Sequence, residues 1–173
     1  MKLIVDATVG THILGSKYER LETTYRDRHG DAYVHPATGI LAYDPTRQKG
    51  KAPDPWWLIA YTDDGIAAYY RHIVEKRFGF VLDRPSWGAH VSIIRGEEPK
   101  KNLDRWRYNE GLITPFAYSH DIYTNGAHWW VNVDCLDYAN LRDFYGFDPG
   151  KRHFHLSIGR VRDRDIVGKP PEA

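Results

Sequence analysis

The chain has 173 residues, enough for one domain with a substantial hydrophobic core, and we expect a single domain over residues 1–173. Its 24 basic and 23 acidic side chains nearly cancel, so a broad basic surface for long nucleic acid is not expected. The single cysteine excludes an internal disulfide framework and is typical of a reducing compartment. Since neither a signal-peptide pattern nor a membrane-spanning apolar stretch is found, we expect a soluble cytoplasmic protein.

The first third of the chain has the weakest structural signals. A strand is expected over residues 1–7. Residues 25–55 are rich in charge, glycine and proline, which predicts long loops with one or two short strands. The compact apolar run at residues 56–61 predicts the next strand.

A helix is predicted over residues 64–78, because apolar residues recur there at helical spacing. Thr62, Asp63 and Asp64 offer oxygen atoms for its N-terminal end, and Gly79 stands where a C-terminal cap belongs. A strand over residues 87–95 follows, which completes a strand-helix-strand unit.

The second half of the chain repeats this order. Asn125-Gly126 lies between the strand-like runs 113–123 and 128–134, and this dipeptide is the strongest short-range hairpin signal. A helix over residues 136–145 and a strand over residues 153–160 follow. The inner side of this helix is expected to carry Leu136, Ala139, Leu141 and Phe144. The chain therefore predicts two similar lobes.

One tetrapeptide occurs in both predicted lobes, each time within the last strand. His-Val-Ser-Ile at residues 90–93 returns as His-Leu-Ser-Ile at residues 155–158. Residues two apart on a strand point to the same face, so each copy projects one imidazole and one hydroxyl from a surface whose other side is apolar. The four side chains are His90, Ser92, His155 and Ser157.

Two histidines and two hydroxyls facing each other are the groups that cleavage of a phosphodiester needs. One imidazole takes the proton of the nucleophile and the other protonates the leaving oxygen, because the unperturbed pKa of histidine lies near neutrality. Ser92 and Ser157 are suited to hold the charged phosphate oxygens. No metal ion or cofactor is required, so we expect neither.

The paired motifs resemble those of the 2H phosphoesterase superfamily, which includes 2′,5′ RNA ligase-like proteins and cyclic phosphodiesterases. The resemblance covers about residues 56–160 and leaves residues 1–55 as an N-terminal extension. It implies an α+β, bilobal, pseudo-symmetric fold with antiparallel central sheets and outer helices. It also implies that His90 and His155 are the acid and base and that Ser92 and Ser157 bind the phosphate.

The flanks of both motifs look like those of phage-encoded anti-CBASS cyclic-nucleotide phosphodiesterases. That resemblance implies cleavage of small 3′–5′ linked cyclic di- or trinucleotides, the alarm signals of bacterial immunity. Two alternatives stay open. One is RNA-end processing, as a 2′,3′-cyclic phosphodiesterase or a 2′,5′ ligase-like enzyme, and the other is a protein that sequesters a nucleotide without cutting it.

Further residues are candidates for binding the substrate, each with a packing or solvent-facing alternative. They are Trp87, Arg95, Trp106, Tyr108, His153, Arg160 and Tyr18. By simple alternation Arg95 and Arg160 point away from the histidines, unless a twist or bulge at Gly96 or Gly159 changes their direction. The pair His153 and His155 has a spacing that binds metals, but no third ligand accompanies it. Cys135 is expected to be a buried structural thiol.

Overall fold

The structure is a computed structural model that describes residues 3–5, 33–46, 52–79, 81–150 and 153–161. Within these ranges it contains eight strands and two α-helices. They are β1 (Leu3–Val5), β2 (Tyr33–Tyr43), β3 (Trp57–Tyr61), α1 (Asp64–Phe78), β4 (Leu82–Asp83), β5 (His90–Arg95), β6 (Ile113–Thr124), β7 (His128–Asp134), α2 (Leu136–Phe144) and β8 (Phe154–Val161). A 3₁₀ turn lies at Leu103–Arg105.

Six of the strands close on themselves. The pairing runs β6–β2–β3–β5–β8–β7 and returns from β7 to β6, and every one of these pairs is antiparallel. β5 and β8 meet at Val91 and Leu156. β1 and β4 extend the sheet from β6 and β8. The α+β class and the antiparallel sheet are confirmed, and six of the eight described strands form one closed barrel.

Both helices pack on the same face of this sheet, which we call the helix face. Tyr70 of α1 lies edge-on to Tyr118, with ring centroids 6.2 Å apart. Tyr138 of α2 packs against Phe116 and Phe154, at centroid distances of 6.2 and 5.6 Å. The fully buried aliphatic side chains of this face complete the core. They include Leu58, Ala60, Val91, Val131 and Leu156.

The elements with local signals form as predicted. α1 has the predicted bounds, with Asp63 as its N-cap: the Asp63 carboxylate accepts a hydrogen bond from the Gly65 amide at 2.8 Å. Gly79 ends α1 in the left-handed conformation, with φ of 74°. The predicted hairpin joins β6 and β7, and Gly126 has φ of 94° in its turn.

Two expectations for β-structure differ from the structure. The region predicted as loops contains β2, an 11-residue strand. β6 pairs with β2 along most of its length, and β3 pairs with its last four residues, 40–43. Pro36 lies opposite Ala117 of β6, in the part of β2 that β3 does not pair with, and a proline is tolerated where one side of the strand carries no ladder. The first motif strand begins at His90 rather than at residue 87, because Gly88 turns the chain with φ of 74°.

The inner side of α2 was predicted only in part. Leu136 is 74 % exposed, so its expected place in the core is wrong. Tyr138 and Arg142 are buried instead, together with the predicted Leu141. α2 is therefore rotated about its own axis relative to the sequence expectation, and an arginine takes an inward position because backbone carbonyls there accept its hydrogen bonds.

Candidate active site

The two motif strands lie side by side. β5 and β8 run antiparallel and pair at the central residue of each motif, so His90 lies opposite Ser157 and Ser92 lies opposite His155. Side chains alternate along a strand, which puts all four on the face opposite the helix face. We call this side of the sheet the motif face. The two histidines form a diagonal pair, and the Cα atoms of such pairs are about 7–8 Å apart.

The same backbone contact orients both imidazoles. His90 Nδ1 donates to the carbonyl oxygen of Gly88 at 2.8 Å, and His155 Nδ1 donates to that of His153 at 3.4 Å. A carbonyl oxygen only accepts hydrogen bonds, so each Nδ1 carries the hydrogen and the neutral ring keeps its lone pair on Nε2. Both histidines are therefore held in the tautomer whose Nε2 can accept a proton.

The segment before His90 is anchored to α1. The Asp64 carboxylate accepts a hydrogen bond from the Ala89 amide at 2.7 Å. Gly88 leaves little room beside this carboxylate, because a Cβ at Gly88 would lie 3.2 Å from Asp64 Oδ1. This turn brings the Gly88 carbonyl back toward the ring of His90.

The two histidines have different surroundings. His90 is only 7 % exposed, and burial lowers its pKa; the hydrogen bond to Gly88 raises the pKa and the charge of Arg95 lowers it further. The ring of Trp87 lies edge-on to His90 at 5.3 Å. His155 is half-buried, with the ring of Trp130 at 5.8 Å. His90 is therefore a neutral imidazole at neutral pH.

Each motif strand contains a β-bulge at the fourth residue of its tetrapeptide. In the pairing of β5 with β3, Ile93 is the extra residue, and in the pairing of β8 with β7 the extra residue is Ile158. One extra residue shifts the alternation of the side chains that follow it by one position. The two bulges thus occupy equivalent places in the two copies.

The bulges turn both arginines onto the motif face, so the expectation from simple alternation is wrong. Arg95 comes to lie opposite Trp57, and Arg160 opposite His128. The guanidinium carbon of Arg95 lies 5.3 Å from the centroid of the Trp57 ring. The pKa of His128 is lowered by burial and then by the charges of Arg160 and Arg95. Two cationic groups therefore flank the motif residues.

Residues from the neighbouring strands complete the motif face, and sequence analysis missed most of them. Tyr61 lies opposite His90, and Asn132 opposite His155. Trp130 lies opposite Ser157, and its indole nitrogen donates to the Asn132 side chain at 3.2 Å. The sequence indicates that one of the adjacent residues Trp129 and Trp130 points into the core. Trp129 does so, and its ring centroid lies 5.2 Å from that of Phe78.

The predicted substrate-binding residues fall into separate groups. Trp87, Arg95 and Arg160 lie with the motif residues. Trp106 packs against Tyr43 and Tyr145, at 4.9 and 5.0 Å, and donates to Asp44 at 2.9 Å. These contacts favour the packing alternative for Trp106.

The remaining candidates are Tyr108, His153 and Tyr18. Tyr108 is 79 % exposed and lines a cavity of about 460 Å³ beside α2, with none of the four motif side chains in its wall. His153 is exposed and orients His155 through its backbone carbonyl. Tyr18 lies outside the described residues.

Cys135 is buried, and its thiol donates to the carbonyl of Pro115 at 3.3 Å. Burial raises the pKa of the thiol to about 11. Within the described ranges, no group of three or more His, Cys, Asp and Glu side chains is placed to hold a metal ion. Neither described helix has the length and apolar character needed to cross a bilayer.

Searches of protein-family models, curated proteins and solved structures return no match for this chain. The arrangement of the motif face is therefore the observation from which a function can be inferred.

Proposed function

We propose that this protein is a metal-independent phosphodiesterase of the 2H type that cleaves small 3′–5′ linked cyclic oligonucleotides. The observation that carries the proposal is the antiparallel pairing of the two motifs, in which His90 faces Ser157 and Ser92 faces His155. Acid, base and phosphate-binding hydroxyls are then within reach of one phosphorus atom.

In the proposed reaction, the ribose 2′-hydroxyl attacks the adjacent phosphorus. Nε2 of His90 takes the hydroxyl proton, a role that the lowered pKa of His90 favours because its ring is neutral at neutral pH. The new bond joins O2′ to phosphorus, the bond from phosphorus to O5′ breaks, and His155 donates the proton that O5′ needs. Ser92 and Ser157 donate hydrogen bonds to the non-bridging oxygens.

The first products are a 2′,3′-cyclic phosphate and a free 5′-hydroxyl. Water then opens the cyclic phosphate with the roles reversed, so that His155 acts as the base and His90 returns the proton. Both steps use only protons carried by the two imidazoles. Each histidine is expected to contribute on the order of 10²- to 10⁴-fold to the rate.

The flanking cations support a substrate with more than one phosphate. Arg95 and Arg160 share the motif face with the histidines, and in the proposal they bind phosphates other than the one being cleaved. Trp87 lies beside the His90 imidazole and is half-buried, so part of its ring is available to a nucleobase. Trp130, beside His155, is 8 % exposed and stacks on Tyr123. A cyclic di- or trinucleotide combines these features in one small ligand.

We also propose that the chain has the bilobal 2H arrangement and that it removes the cyclic-nucleotide signals of CBASS immunity. The bilobal arrangement is supported by the repetition of strand, helix and motif strand on the two sides of the β5–β8 pair, and by the equivalent bulges. The role against CBASS immunity is what the resemblance of the motif flanks implies.

The proposal is tested by incubating the protein with a panel of 3′–5′ cyclic di- and trinucleotides in EDTA and separating the products. At least one ring is expected to yield a product with a 2′,3′-cyclic phosphate. His90→Ala and His155→Ala are each expected to lower kcat by about 10²-fold or more with a modest loss of binding. His72→Ala, which removes an exposed histidine of α1, is the matched control and retains the rate.

Three outcomes would contradict the proposal. Ligands that bind and are recovered intact indicate a sequestering protein. Cleavage restricted to RNA ends indicates the RNA-processing alternative. Turnover that EDTA abolishes and a divalent cation restores indicates a metal-dependent reaction.

A further inference from the structure

An arginine from each helix binds the backbone of a bulge. Nη1 of Arg142 in α2 donates to the carbonyl oxygen of Ile93 at 2.9 Å. Nη1 of Arg71 in α1 donates to the carbonyl oxygen of Ile158 at 3.0 Å. Ile93 and Ile158 are the bulge residues of the two motif strands.

The two contacts connect the two repeats of strand, helix and motif strand, which are β3, α1 and β5 in the first repeat and β7, α2 and β8 in the second. α1 precedes β5 in the chain, yet Arg71 binds the bulge of β8. α2 precedes β8, yet Arg142 binds the bulge of β5. Each motif strand is therefore held at its bulge by the helix of the other unit.

The carbonyl of a bulge residue needs a partner of this kind. The extra residue of a bulge is left out of the regular ladder, so the neighbouring strand does not pair with it. Ile93 and Ile158 are fully buried, and buried carbonyl groups are almost always hydrogen-bonded. The guanidinium groups of Arg142 and Arg71 each donate a hydrogen bond to one of these carbonyls.

We propose that Arg71 and Arg142 are positioning residues that hold the bulges and thereby keep Arg160 and Arg95 on the motif face. If a bulge were replaced by regular pairing, the residues after it would move to the opposite face, and the arginine would leave the site. The consequence for substrate binding rests on the proposed function; the positioning itself does not.

The test uses Arg71, because Arg142 is the less suitable target. Arg142 is 2 % exposed, and it also donates to the Asp148 carbonyl and pairs with Glu97 at 3.3 Å, so its replacement is expected to unfold the protein. Arg71 is half-buried. Arg71→Met removes the donor groups, and Arg71→Lys keeps the positive charge on a single donating nitrogen.

The readout is the titration of the His128 side chain by NMR, which requires no substrate. Arg160 of β8 and Arg95 of β5 are the charged groups that act on His128. In Arg71→Met the pKa of His128 is expected to rise by as much as it does in Arg160→Gln, because Arg160 no longer faces it. Arg71→Lys is expected to restore most of the original value. Arg84→Met is the control, because Arg84 lines the same cavity of about 340 Å³ as Arg71. This variant is expected to leave the pKa of His128 unchanged.

The proposal is overturned if the pKa of His128 changes in Arg160→Gln but stays constant in folded Arg71→Met. It is also overturned if this pKa stays constant in both variants. Cleavage assays provide a second arm. KM for a cyclic dinucleotide is expected to rise on the order of tenfold in Arg71→Met with a smaller change in kcat, and the double variant with Arg160→Gln is no worse than Arg160→Gln alone. If the NMR shift occurs and no ligand is cleaved, the positioning role stands and the proposed function fails.

Discussion

At the scale of single residues, the two motif histidines have matching sequence contexts but differ in how deeply they are buried. Both donate Nδ1 to the carbonyl two positions before them, so both present Nε2 to the motif face. His90 is almost fully buried next to Trp87, whereas His155 is half-buried. This difference assigns different proton-transfer roles to them in the proposed reaction.

The lowered pKa of His90 predicts the position of one limb of the pH profile. As the base, His90 must be neutral, and a lowered pKa keeps it neutral below its ordinary value of 6.5. The acidic limb of kcat/KM is therefore expected to lie below pH 6.5. A profile of kcat/KM against pH measures this limb.

Arg95→Gln is the informative comparison, because the charge of Arg95 contributes to the lowered pKa of His90. Its removal is expected to move the acidic limb to higher pH, whatever happens to the rate itself. A limb that stays at the same pH in this variant would mean that another group is the base.

At the scale of elements, the bulges of β5 and β8 determine what the motif face carries. The strand after the bulge of β8 is constrained by its neighbour β4, which lies close to Gly159. A Cβ atom at Gly159 would lie 2.7 Å from the Asp83 carbonyl oxygen and 2.9 Å from Leu82 Cβ, both in β4. β4 pairs with β8 at Asp83 and Arg160, so this crowding is next to an arginine of the site.

Gly159→Ala is therefore expected to destabilise the protein by about 1–3 kcal/mol, because the added methyl group meets the Asp83 carbonyl oxygen and the Cβ of Leu82, neither of which is the far end of a flexible side chain. Urea unfolding measures the change. Thr38→Ala, at an exposed position of β2, serves as the control and should stay within about 0.5 kcal/mol. A Gly159→Ala variant as stable as the control would show that β4 yields to the methyl group.

At the scale of the whole molecule, charge is balanced overall and concentrated locally. The net charge is +1, while Arg95 and Arg160 share the motif face. A ligand with two or three phosphates is matched to two arginines. A polymer would require a larger basic surface.

The salt dependence of binding tests this distinction. With the inactive His155→Ala variant, the logarithm of the affinity for a cyclic dinucleotide is expected to fall with the logarithm of salt concentration at a slope of about −2 or shallower, since few ion contacts form. Titrations by calorimetry between low and moderate salt give the slope. Tighter binding of single-stranded RNA with a much steeper slope would favour the RNA-processing alternative.

The sequence was sufficient to predict the elements whose ends are set by residues close to them in the chain. The bounds of α1 follow from its apolar spacing, from Asp63 and from Gly79, and the hairpin follows from Asn125-Gly126. These interactions join residues a few positions apart, so their signal is complete within a short window. The sequence also supplied the two motifs themselves, because side chains two apart on a strand share a face whatever the strand pairs with.

Tertiary structure alone decided how these elements combine. β2 forms because two distant strands satisfy its backbone, and its own residues carry weak strand signals. The bulges at Ile93 and Ile158 depend on β3, β7 and the two helix arginines, and they reverse the side that alternation predicts for Arg95 and Arg160. The register of a strand is a property of the pair, and the partners here are far apart in the chain, so only the folded sheet brings two imidazoles, two hydroxyls and two guanidinium groups to one face.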